Sequence, residues 1–107
     1  MEFNQLKAEI KSIPLQEERA DRDDYIEVVI NTVKLSDTSE ILKRYFGSPA
    51  WPSDKEIHKE IKEIINNFGG IIKGQTLYAK TDNGLCAFAM IWPWQSAQYF
   101  TLKVGFK

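Results

Sequence analysis

The chain has 107 residues, 43% of them hydrophobic and 27% charged, with a net charge of −1. That length is enough to bury its own core without disulfides or metal, and so small a charge argues against a dedicated nucleic-acid binder, whose affinity comes largely from neutralising phosphates. The lone cysteine, Cys86, excludes an internal disulfide and a multi-cysteine zinc site.

No basic start followed by an apolar core opens the sequence, and no apolar run approaches a membrane span. A cytoplasmic protein with no membrane partner is therefore expected, the reduced thiol agreeing with it. Acidic residues lead in 1–46 and basic residues lead in 47–107. The asymmetry is mild, and solvated faces explain it better than an anionic partner does.

Phe3, Leu6 and Ile10 recur at helical spacing and predict a short amphipathic helix over Glu2–Ser12, stopped by Pro14. Gln16–Asp24 is a charge-dense approach. Tyr25–Leu35 admits two readings. Its β-branched and aromatic content suits a strand. Ile26, Val29, Ile30 and Val33 fit a period of 3.6 better than 2, and the acids ahead of them suit a helix dipole, so a helix is expected.

Asp37 followed by Glu40 has capping-box spacing and predicts a helix from Ser36 to Gly47, with Ile41, Leu42, Tyr45 and Phe46 buried. Ser48–Pro52 reads as a rigid connector. Ser53 with Glu56 repeats the capping box and opens a helix carrying Ile57, Ile61, Ile64, Ile65 and Phe68, ended by Gly69.

From Gly69 to Lys107 three alternating runs are separated by Asp82-Asn83-Gly84 and by Pro93. Asn-Gly between β-rich segments marks a tight hairpin. A two-residue loop sets Asp82 opposite Leu85, Ala79 opposite Phe88 and Leu77 opposite Met90. Matching apolar faces then pairs Met90 with Leu102, Phe88 with Val104 and Cys86 with Phe106.

The expected fold is α+β in a single domain over 1–107. It has two layers, with three to four N-terminal helices (1–68) packed on a C-terminal three-stranded antiparallel meander (69–107). The final strand is an edge, guarded by Lys103 and Lys107. The outer sheet face then carries Thr76, Tyr78, Lys80, Ala87, Ala89, Ile91, Tyr99, Thr101 and Lys103.

Five aromatic residues are the interaction candidates: Trp94, Trp51, Trp92, Tyr78 and Tyr99. Each tryptophan adjoins a proline in or beside a connector, where a large flat ring serves either a partner or the end of a small core. Tyr78 and Tyr99, with Lys80 and Lys103, offer a base-stacking platform, but two aromatics and no ribonucleoprotein motif support it weakly.

The remaining motifs argue against chemistry. Gly69–Thr76 approaches a phosphate loop, but Gln75 stands where lysine is required and the order of elements is reversed. His58-Lys59-Glu60 matches half of a deaminase zinc signature that then needs two cysteines. Cys86 reads as a buried thiol, and Glu17, Glu18, Asp21, Asp23, Asp24 and Glu27 lack calcium-loop spacing. No catalytic residue, cofactor or metal is expected.

A non-catalytic protein-interaction module, self-associating as a homodimer or binding another protein, is the leading functional reading. The alternative is a small-ligand or enzymatic pocket near Trp51, Trp92 and Trp94. Single-stranded nucleic acid on the outer face ranks third.

Overall fold

The computed structural model describes residues 2–53, 55–82 and 84–107. The elements in order are α1 (Phe3–Lys11), β1 (Leu15–Asp21), β2 (Tyr25–Asn31), a 3-10 turn (Thr32–Lys34), α2 (Leu35–Phe46), α3 (Lys59–Asn66), β3 (Thr76–Asp82), β4 (Leu85–Pro93) and β5 (Tyr99–Phe106). The strands form one five-stranded antiparallel sheet in the order β1-β2-β5-β4-β3.

This corrects the expected three-stranded meander in three ways. First, Tyr25–Asn31 is a strand, not a helix. All seven of its residues pair with the far end of the chain, from Tyr25 opposite Gly105 to Asn31 opposite Tyr99. Five of its seven residues are buried, so it reads as a near-continuous apolar run in which helical spacing arises by accident. Second, the charged segment before it is β1, a strand exposed along most of its length and kinked by irregular pairing near Gln16 and Arg19. Third, β5 is not an edge. It lies between β2 and β4, and β1 and β3 are the edges.

The layers differ too. Phe3, Leu6 and Ile10 of α1 and Ile41, Leu42 and Phe46 of α2 pack on one sheet face against Ile26, Val28, Ile30, Ala89, Phe100, Leu102 and Val104. Ile65 of α3 packs on the opposite face with Tyr25, Leu77, Phe88 and Met90. The sheet is a middle layer, with helices on both sides.

That double cover explains the register error. The β3–β4 hairpin pairs as the turn dictates, with Asp82 opposite Leu85, Ala79 opposite Phe88 and Leu77 opposite Met90. Asn83 lies outside the described residues; Gly84 takes φ +81°, as the turn requires. The β4–β5 pairing is displaced by one residue from expectation. Ala89, not Phe88, faces Val104, and Ile91, not Met90, faces Leu102. Apolar matching selects a register only when one face is wet.

Helix boundaries moved where caps were misread. α2 begins at Leu35, which places Asp37 inside its first turn. α3 begins at Lys59: Trp51 pairs with Leu77 as a short bridge, and His58 is still non-helical. The Ser53 hydroxyl accepts from the Lys55 N–H, a local turn that does not start a helix. Among the described residues no helix is long and apolar enough to cross a membrane.

Candidate interaction surface

α3 and the turn after it cover the β3–β4 half of their sheet face and reach beyond it at Tyr25 and Lys103. The β1–β2–β5 half of that face is bare of helix and is built from alternate residues of the three strands: Glu17 and Arg19, then Glu27, Val29 and Asn31, then Tyr99, Thr101 and Lys103. Trp94, just beyond β4, folds onto this half. Its N–H closes the hairpin on the Tyr99 carbonyl at 2.9 Å, and its indole N–H donates to Thr101 Oγ1 at 2.9 Å. The Tyr99 ring stands edge-on to it at 5.2 Å, and the Arg19 guanidinium lies 5.6 Å from its centroid. A Trp, a Tyr and an Arg therefore meet, with Val29 fully buried in the same half-face.

Charges of both signs surround them. Arg19 pairs with Glu17 and lies 3.9 Å from Glu27. Glu27 also accepts a 2.6 Å hydrogen bond from the Tyr25 hydroxyl, which burial first and then this carboxylate hold protonated well above the ordinary tyrosine range. Lys103, opposite Glu27, closes the row. Burial pushes its amine below the usual lysine value, Glu27 opposes that, and Arg19 adds to it. The Nζ atom sits 3.5 Å from the Trp92 ring centroid and donates to the Phe68 carbonyl at 2.8 Å, both of which favour its charged form.

The five aromatic candidates do not gather. Trp51 lies at the β3 edge. Trp92 is half-buried under the turn after α3, its indole N–H buried without a partner. Trp94 and Tyr99 meet on the bare half-face. Tyr78 is buried on the opposite face against Phe46, so the proposed platform of Tyr78 with Tyr99 is not assembled. A depression of about 430 Å³ is lined by Trp51, Ser53, Lys55, Glu56, Ile57 and Lys62, and reaches neither Trp92 nor Trp94.

Cys86 is buried, 3.8 Å from the Thr81 hydroxyl. His58 is exposed at the start of α3. The acidic segment is not a helix start. Lys7 and Lys11 of α1 pair with Asp21, and Lys11 also with Glu18, pinning β1 under α1. Among the described residues no three His, Cys, Asp or Glu side chains converge as metal ligands do.

Arg19, Glu27 and Thr101 were not among the sequence candidates. Only the pairing of residues 25–31 with 99–105 brings them together, and no local pattern announces a pairing across that much chain. In comparisons with protein-family models, curated proteins and solved structures, nothing matches this chain.

Proposed function

We propose that the chain is a non-catalytic protein-interaction module that pairs with a second copy of itself through the bare half-face around Trp94. The observation that carries this reading is the fixed Trp94–Tyr99–Arg19 cluster. Trp, Tyr and Arg are the residues enriched where interfaces concentrate their energy, and a ring already held by a hydrogen bond loses little freedom on docking.

A second copy is favoured as occupant by charge. Glu17 and Glu27 balance Arg19 and Lys103, so the patch suits neither a uniformly acidic nor a uniformly basic partner, and a neutral patch of this kind meets its own copy without like-charge repulsion. The edges are poor alternatives: β1 is charged and irregular, and β3 is part-covered at Leu77 by Trp51.

Three strands make a patch roughly 15 by 20 Å, smaller than the ~800 Å² per partner of a standard interface. The dimer should therefore be weak and dependent on concentration. Sedimentation equilibrium over a concentration series tests this. The expected result is a rise in mean mass that Arg19→Glu removes without altering the thermal melt. A monomer at every concentration rejects the reading. The small-ligand alternative has less support, since Trp51 lies at the β3 edge and Trp94 on the β1–β2–β5 half-face.

A further inference from the structure

With every strand antiparallel, the turn after β2, the β4–β5 connector and the loop entering β3 emerge at one end of the sheet. That end holds three of the four large hydrophobic side chains exposed among the described residues: Val33 at 80%, Ile72 at 67% and Trp94 at 36%. The fourth, Leu85, starts β4 at the other end.

The tip is fixed in place. The Thr32 N–H donates to the Gln98 carbonyl at 2.9 Å and the Thr32 hydroxyl to the Ala97 carbonyl at 2.8 Å, joining the turn to the connector. The Ile72 N–H donates to Gln75 Oε1 at 2.8 Å, and the Gln75 N–H to the Ile72 carbonyl at 3.1 Å. From β2 to β3 the tip spans roughly 15 Å at ~4.8 Å per strand.

Its charge is one-sided. Residues 31–34, 71–75 and 93–98 include Lys34 and Lys73 and no carboxylate. Asp21, Asp23, Asp24 and Asp82 belong to the β1–β2 and β3–β4 turns at the opposite end. Asp37 and Glu40 lie back along α2 beside Lys34, Ser12 and Pro14, and Glu17 of β1 is paired with Arg19.

We propose that this end is a contact surface for an anionic lipid bilayer. Val33 and Ile72 enter the headgroup boundary, and Lys34 and Lys73 face the lipid anions. Contact of this kind lies on a membrane and needs no spanning helix. An apolar tip carrying Lys34 and Lys73, with Asp21, Asp23 and Asp24 at the far end, orients the molecule in the field of a negative surface. The inference rests on Val33 and Ile72, which lie outside the β1–β2–β5 half-face, and so does not depend on self-association.

The test is sedimentation of the full chain with phosphatidylcholine vesicles, with and without phosphatidylserine, at low and high salt. Binding is expected to phosphatidylserine vesicles at low salt, falling on the order of tenfold at high salt. Val33→Asp and Ile72→Asp should each weaken it by a similar factor, with the melting temperature retained because both side chains are exposed. No binding at low salt, or binding indifferent to both substitutions, overturns the proposal. So does a change in solution mass in these variants while vesicles are ignored, which makes the tip a protein contact.

Discussion

The Lys103 ammonium rests 3.5 Å from the centre of the Trp92 ring and donates to the Phe68 carbonyl, so one side chain of a central strand holds down the C-terminal end of α3. Lys103→Met keeps a linear stem over the indole but loses the charge and the donor. It should lower stability by about 1–2 kcal/mol in urea and raise amide exchange selectively over residues 59–69. An unchanged midpoint would show that the helix is held by its apolar contacts alone.

Gly69 sits under the same ring with φ +104°, and a Cβ there would overlap the Trp92 six-membered ring. Gly47 also has positive φ, +81°, but nothing lies within 4 Å of the equivalent Cβ. Gly69→Ala should therefore cost about 2 kcal/mol or more, and Gly47→Ala about 1 kcal/mol, by chemical denaturation. Equal losses would mean that backbone strain, not the close approach of Trp92, sets the first value.

Phe88 is fully buried, 4.9 Å from the Phe68 ring and 6.5 Å from the Tyr25 ring. Phe88→Ala should destabilise by on the order of 3–5 kcal/mol. A loss below about 1 kcal/mol would show that α3 closes over the gap by moving.

The hairpin and the first two helices were legible because each carries a local signal. Phe3, Leu6 and Ile10 repeat at helical spacing beside Pro14, Gly47 ends α2, and Asn83-Gly84 fixes its register by turn chemistry. The first two strands were not legible. Tyr25–Asn31 is buried on both faces and loses its alternation, and Leu15–Asp21 is an exposed edge whose charges hide it. The burial of Phe88 did not settle the β4–β5 register, since either register puts it under a helix. Of the candidate surface, Trp94 and Tyr99 were visible as connector aromatics; their charged neighbours depend on pairing between the two ends of the chain.

The ion pairs between α1 and its neighbours predict an acid limb of stability. Lys11, then Lys7, hold the Asp21 carboxyl below its ordinary value of 3.8, and Tyr45, then Arg44, hold Glu9 below 4.5. With both folded values depressed, the unfolded chain takes up protons first as pH falls. Their stabilisation is complete above about pH 5 and is lost as pH drops through 4 towards the folded values. Asp21→Asn should flatten part of that slope in melts at successive pH, whereas an identical profile would assign the limb to other groups.

The interaction reading stands or falls on Trp94→Ala, examined by thermal melt beside sedimentation equilibrium at concentrations where the native chain associates. Trp94 is part-exposed, with one hydrogen bond to Thr101 and edge contact with Tyr99. The account predicts a stability loss of only about 1 kcal/mol and a protein that stays monomeric at every concentration. A loss of several kcal/mol with association unchanged would make Trp94 a packing residue and contradict the account.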